Sequence, residues 1–153
     1  MKLGTLCYIE KDNKYLMLHR TKKKNDMHEN LWVGLGGKFE AEESPEDCVI
    51  REVFEESGLT IQNPQLKGIL TFPGFSNDED WYVFLFKATD FSGEVKTCKE
   101  GELAWIDKDM VCKLPMHGGD YLFLKWMDEH PGVFSAKFSY ENGALKEWVL
   151  YAK

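Results

Sequence analysis

The chain has 153 residues, 43% hydrophobic and 29% charged, which suits one globular domain over residues 1–153 and excludes a disordered chain. No apolar run approaches the roughly 20 residues of a membrane span, and charge arrives at Glu10, too early for a secretory signal. The net charge of −7 argues against nucleic acid or an anionic membrane as partner. Cys7, Cys48, Cys98 and Cys112 are dispersed without a CxxC pair, which predicts reduced thiols in a cytoplasmic protein. The charge is unevenly placed. Residues 37–59 hold eight acids against Lys38 and Arg51, while Arg20, Lys22, Lys23 and Lys24 form a basic cluster upstream.

In chain order, the pattern predicts strands at Leu3–Ile9 and Tyr15–Leu18, joined by a turn at Asp12-Asn13. A polar loop, Thr21–Asn30, leads to a strand at Leu31–Leu35 that ends at Gly36-Gly37. Helix 45–57 follows, with Ser44 as N-cap, Pro45 at the first helical position, Asp47 completing S-x-x-D and Gly58 as C-cap. Lys67–Phe72 and Trp81–Lys87 read as strands, with turns at Pro73-Gly74 and Asn77–Asp80. A short strand at Ala104–Ile106, a helix at Asp120–Glu129 and a hairpin of Val133–Tyr140 with Leu145–Tyr151 complete the chain. Strands at both ends with helices between predict an α/β sandwich around a mixed sheet.

On a wheel of about 100° per residue, Glu52, Glu55 and Glu56 share one arc of the helix, and Val49, Ile50, Val53 and Phe54 take the other side. Like charges at i,i+3 and i,i+4 repel, and the C-terminal half of a helix disfavours anions. Folding stability alone does not select this arrangement. A hard divalent cation would offset the repulsion and join the carboxylates to phosphates. The glycine turn and basic cluster beside it suggest a metal-bridged polyphosphate site.

The segment Gly37–Leu59, GKFEAEESPEDCVIREVFEESGL, resembles the Nudix (MutT-like) box G-x5-E-x7-R-E-U-x-E-E-x-G-U, where U is bulky apolar. Every fixed position agrees, from Gly37 and Glu43 through Arg51, Glu52, Val53, Glu55 and Glu56 to Gly58 and Leu59. The resemblance implies a Nudix-type α/β/α sandwich with a mixed β-sheet, and a hydrolase that attacks a nucleoside diphosphate linked to another group. It implies Mg²⁺, with Mn²⁺ as a substitute, on Glu43, Glu52, Glu55, Glu56 and Glu100. Arg51, Glu52, Glu55, Glu56 and Glu100 form the catalytic set, with Arg51 pairing with a carboxylate of the cluster. Gly36, Gly37, Lys38 and Arg20 would meet the phosphates.

The strands around residues 15–38 and the segment LPMHGGDYLFLKW are similar to the oxidised purine nucleoside triphosphatase (8-oxo-dGTP diphosphatase) branch. That implies a small-molecule nucleotide substrate, a purine held by Asn30, Trp32, Phe72, Trp81, Asp120 and Phe123, and a role in clearing damaged nucleotides as a monomer or homodimer. Asp120 is expected on an unfilled rim at the start of the second helix. Val33 stands where some relatives have an Asn that reads the base, and His117 where many have a stacking Trp, so a softer preference for oxidised guanine is expected. His19, His28 and His130 have no ligand-like spacing and read as surface or packing residues. Alternatives are ADP-ribose, a dinucleotide or a dinucleoside polyphosphate as substrate. A non-catalytic nucleotide sensor is a further alternative, against which the complete glutamate set argues.

Overall fold

In the computed structural model, which describes residues 1–22 and 28–152, β1 (Lys2–Lys11) and β2 (Lys14–His19) turn at Asp12 and Asn13, both at positive φ. The two strands share only the pairs Glu10↔Tyr15 and Lys11↔Lys14 and then part. Past that point β1 runs parallel to β6 (Glu79–Ala88), while β2 pairs antiparallel with β8 (Glu102–Asp107) and with β3 (Trp32–Val33). The glycine-rich segment after β3 enters the gap. Leu35 exchanges backbone hydrogen bonds with Cys7 at 2.6 and 3.0 Å, and the Gly37 carbonyl accepts from the Thr5 N–H at 2.9 Å.

The remaining elements are α1 (Pro45–Ser57), β4 (Thr60–Gln62), β5 (Gln65–Ser76), β7 (Asp90–Ser92), α2 (Lys108–Val111), α3 (Gly118–Glu129), β9 (Phe134–Glu141) and β10 (Ala144–Tyr151). The main sheet has the order β10-β9-β5-β6-β1-β2-β3, with β8 also on β2. It is mixed, since β1–β6 and β5–β9 are parallel and the other pairs antiparallel. Successive side chains of a strand point to opposite faces, and this alternation feeds two cores. Tyr8, Tyr15 and Met17 pack with Phe123, Leu124 and Met127 of α3. Cys7, Ile9, Leu16 and Leu18 pack with Val49 and Val53 of α1. Each large side chain so buried contributes about 1.5–3 kcal/mol. This is the α/β/α sandwich with a mixed sheet that the sequence led us to expect.

Several boundaries differ from expectation. The strand expected at Leu31–Leu35 is only Trp32–Val33, because the chain leaves β2 there to cross onto β1. No turn forms at Pro73-Gly74. β5 continues to Ser76 through an irregularity that realigns it on β6, and the reversal comes at Asn77 and Asp78, both at positive φ. β4 and β7 form a separate small sheet, and like α2 they are too short to leave a periodic signal. The closing hairpin turns at Asn142 and Gly143 as expected. Among the described residues no helix is long and apolar enough to cross a membrane.

Candidate active site

Helix α1 starts where its caps dictate. The Ser44 hydroxyl accepts from the Asp47 N–H and the Asp47 carboxylate accepts from the Ser44 N–H, both at 3.0 Å, while Gly58 closes the helix in the left-handed conformation. Val49 and Val53 are buried, but Phe54 is 50% exposed, contrary to its expected place on the buried side; its ring lies under the Lys96 ammonium at 5.5 Å. A single apolar stripe anchors the helix, and its opposite arc faces a cleft of about 610 Å³.

Two glycines let the backbone reach that arc. Gly36 sits at φ +155° with its N–H donating to Glu56 Oε1 at 2.8 Å, and a Cβ there would collide with the Thr5 carbonyl. A Cβ on Gly37 would collide with the Glu52 carboxylate. The turn therefore packs backbone directly against two of the helix glutamates.

Arg51 organises the outer side of this arc. Its Nε donates to Glu43 Oε2 at 2.7 Å and Nη2 to Glu43 Oε1 at 2.9 Å; Nη1 reaches Glu52 at 2.8 Å and Glu55 at 3.3 Å, and Nη2 also caps the Lys38 carbonyl at 2.9 Å. Such fork-on-fork pairing fixes geometry as well as charge. The Arg51 hydrogen bonds hold the Glu43 carboxyl down to about 2, and Glu43 in turn raises the Arg51 guanidinium further. Arg51 thus does pair with Glu55, as the i,i+4 spacing allows, but its bidentate partner is Glu43.

The inner side is electrostatically unlike the outer. Burial pushes the Glu56 carboxyl far up, opposed by the Gly36 N–H and reinforced by Glu100 and Glu52. Burial also raises Glu52, against the pull of Arg51. Glu100 comes from the loop before β8 and lies 3.3 Å from Arg20 Nη1. Glu52, Glu56 and Glu100 all line the cleft, a crowd of hard oxygen donors whose mutual repulsion a divalent cation would relieve. Among the described residues no group of three carboxylate, imidazole or thiol side chains is closed into a ready ligand set. The donor chemistry fits Mg²⁺, on a wall open to substrate.

Of the expected phosphate-binding residues, Arg20, Gly36, Gly37 and Lys38 line the cleft. The Lys22 ammonium is held by the Cys98 carbonyl at 2.9 Å, and Lys23 and Lys24 lie outside the described residues. Of the expected purine-binding residues, Phe72, Trp81, Asp120 and Phe123 reach the cleft. Trp32 and Asn30 do not line it. Trp32 stacks on His19 at 4.5 Å with the rings 3° from parallel, and Asn30 is an exposed turn residue at φ +64° whose N–H bonds to the Arg20 carbonyl. Their neighbour Val33 lines the cleft instead.

Asp120 is not on an open rim. His117 is the N-cap of α3, and Asp120 lies in its first turn, 7% exposed, with burial pushing its carboxyl up to about 8. The sequence reading missed Phe75, Tyr140 and His28 in the cleft wall. His28 had been expected at the surface or in packing; instead its Nδ1 meets His117 Nε2 at 2.6 Å. The pair lies 89 positions apart, and no local pattern announces it.

The NUDIX domain pattern matches residues 2–127 of the chain. The chain belongs to the Nudix family. Its Nudix box is therefore the arc just described. The chain is 38% identical over 140 residues to an uncharacterized Nudix hydrolase, YvcI, of Bacillus subtilis, covering 89% of this chain and 85% of that protein. It is 30% identical over 126 residues to the oxidized purine nucleoside triphosphate hydrolase of Danio rerio, covering 82% and 79%. The crystal structure of a MutT protein from Bacillus halodurans superposes with a TM-score of 0.85 at 35% identity, covering 98% of this chain and 97% of that one. The α/β/α sandwich is thus the Nudix fold, and a hydrolase is the activity class of the family.

Proposed function

We propose that this Nudix hydrolase is a Mg²⁺-dependent nucleoside triphosphate pyrophosphohydrolase that prefers oxidised purines such as 8-oxo-dGTP, with residues 1–153 working as one domain in the cytoplasm. The observation that carries this reading is one cleft lined by two chemistries: the carboxylates Glu52, Glu56 and Glu100, and the rings of Phe72 and Trp81 with the buried acid Asp120. The likeness to an oxidized purine nucleoside triphosphate hydrolase supports it.

In this reading Glu52, Glu56 and Glu100 would hold the ion from within the cleft, with the exposed Glu55 beside them on α1. Arg51 and Glu43 are positioning residues, which act through the carboxylates they fix. When bound, Mg²⁺ neutralises phosphate charge and lowers the pKa of a water molecule. Gly36, Gly37 and Lys38 bring backbone to the polyphosphate, with Arg20 across from them. In this reading Glu100 would take the proton from the attacking water. The water oxygen bonds to a phosphorus of the α–β bridge, the bridging P–O bond breaks, and its electron pair leaves with the departing group. The products are a nucleoside monophosphate and pyrophosphate. Phe72 and Trp81, opposite one another on β5 and β6, form the apolar bed for the base, and Asp120, protonated near neutral pH, donates to its edge.

The test is hydrolysis of a nucleotide panel with Mg²⁺, reading the nucleotide product formed from each substrate, with pyrophosphate as the co-product only of the triphosphates. The expected result is higher kcat/KM for 8-oxo-dGTP than for dGTP, by a modest factor because Val33 and His117 replace polar and stacking readers. Equal kcat/KM for the two rejects the oxidised-purine reading, and faster cleavage of ADP-ribose moves the assignment to a nucleoside diphosphate sugar.

A further inference from the structure

His28 and His117 meet in the lining of the cleft, with Nδ1 to Nε2 at 2.6 Å and the rings 87° apart. One imidazole must donate the N–H and the other accept it. His117 is also held by the edges of Phe75, at 5.7 Å and 73°, and Tyr140, at 6.3 Å and 86°. Three rings thus pack edge-to-face around His117. The Tyr140 hydroxyl accepts from the Gly119 N–H at 2.7 Å, and the residue after Gly119 is Asp120. A continuous chain of contacts therefore joins the loop before β3 to the acid at the base of α3. His28, Phe75, His117, Asp120 and Tyr140 all line the cleft.

We propose that the hydrogen-bonded pair His28–His117 is a specificity determinant of the purine end of the cleft, a clasp that sets the wall against which the base lies. This rests on the proposed function above. A ring fixed before the ligand arrives costs no ordering on binding, so the clasp acts through affinity for base-bearing substrate. The chemistry proposed above is carried by Glu52, Glu56 and Glu100, whereas the clasp packs with Phe75 and Tyr140, so it acts on KM more than on kcat. Packed with Phe75 and Tyr140, the pair presents a wall to a flat purine, and the base edge is left to Asp120.

The test compares His28→Phe, His117→Phe and the double variant, which keep aromatic bulk and lose the N–H···N bond. KM and kcat are measured for 8-oxo-dGTP and for an abasic deoxyribose triphosphate. Having to order the freed ring on binding predicts a KM for 8-oxo-dGTP raised about fivefold in each single variant. The double variant should be no worse, kcat should stay within about twofold, and the KM of the abasic compound should not move. His28→Gln, which keeps a donor and an acceptor, should restore much of the affinity. Unmoved KM in folded Phe variants, or costs that simply add in the double variant, overturns the clasp. Nitrogen-15 NMR of the wild-type imidazoles reads the bond without any variant, and absence of coupling across the two rings overturns it too. A wild type that cleaves no purine nucleoside triphosphate overturns the proposed function and the clasp with it.

Discussion

The N–H of Gly36 donates to Oε1 of Glu56 at 2.8 Å, so the glycine turn and the end of the Nudix helix are joined at a carboxylate that lines the cleft. That bond favours the ionised form of Glu56, while burial and the Glu100 and Glu52 charges favour the protonated one. The fold thus holds a carboxylate where only an added cation would make its charge comfortable. Glycine is required at position 36, where a side chain would meet the Thr5 backbone, and at position 37 a side chain would displace the Glu52 carboxylate.

Glu56→Gln separates a metal site from a structural one. A carboxyl raised by burial favours the folded state while protonated, and that contribution is lost as pH rises towards its folded pKa. Gln keeps an acceptor for Gly36 and has no charge to bury. Without metal, the variant should therefore melt no lower than wild type at pH 8. With Mg²⁺ the order changes, because an ion bound only by the folded state at a hundredfold excess over its Kd adds about 2.7 kcal/mol. Wild type should gain several degrees of Tm on adding Mg²⁺, and the variant much less, with kcat reduced about 100-fold or more. Equal Mg²⁺ shifts in calorimetry, or full wild-type turnover in chelator, would remove Glu56 from the metal site.

How far the sequence reached depends on how local each feature is. The caps of α1 and the spacing of its glutamates lie within one helix, so both were legible from residues 44–58. The choice of Glu43 as the bidentate partner of Arg51 was not, because it depends on the turn before the helix folding back across a separation of eight residues. Trp32 looked like a base-stacking residue by type. On a strand, adjacent residues face opposite ways, and Val33 is the one that reaches the cleft. His28 and His117 meet only because the sheet brings the loop before β3 to the start of α3. Asp120 was correctly placed at the start of the helix that is α3 but read as lying on an unfilled rim, since nothing in its neighbours announces burial.

Arg51→Lys tests whether the fork geometry matters beyond charge. An ammonium cannot make two parallel bonds to Glu43 while also reaching Glu52, Glu55 and the Lys38 carbonyl. Glu43 would lose the partner that holds its carboxyl low, and Glu52 would lose the bond opposing its burial. Positioning partners of metal ligands are commonly worth 10–100-fold in metal affinity or activity. The expected outcome is a kcat lower by about that factor and a higher Mg²⁺ concentration for half-maximal rate, with KM for nucleotide nearly unchanged. A Mg²⁺ titration of initial rates decides. An unchanged half-saturating Mg²⁺ concentration would mean that Arg51 does not act through the ligands.

Asp120→Asn makes the burial of the acid visible in two measurements. The carboxyl is pushed up to about 8, from an unfolded value near 3.8. Between those values the folded chain holds a proton that the unfolded chain has lost, so stability falls as pH rises from about 4 to about 8. Asn carries no charge at any pH and leaves only the neutral geometry. The variant should therefore be more stable than wild type at pH 8, by several degrees of Tm, and the gap should narrow as pH is lowered to 5. A cap-only role predicts neither effect, and His117, not Asp120, holds the N-cap position of α3. The second measurement is the ratio of kcat/KM for 8-oxo-dGTP to that for dGTP. A protonated acid can donate its O–H to the base edge while its carbonyl accepts, whereas an amide presents an N–H₂ group in a different geometry, so the ratio should fall towards one. A stability gap that is the same at pH 5 and pH 8 would show that Asp120 is ionised in the fold. An unchanged ratio would show that the base edge is read by another residue of the cleft.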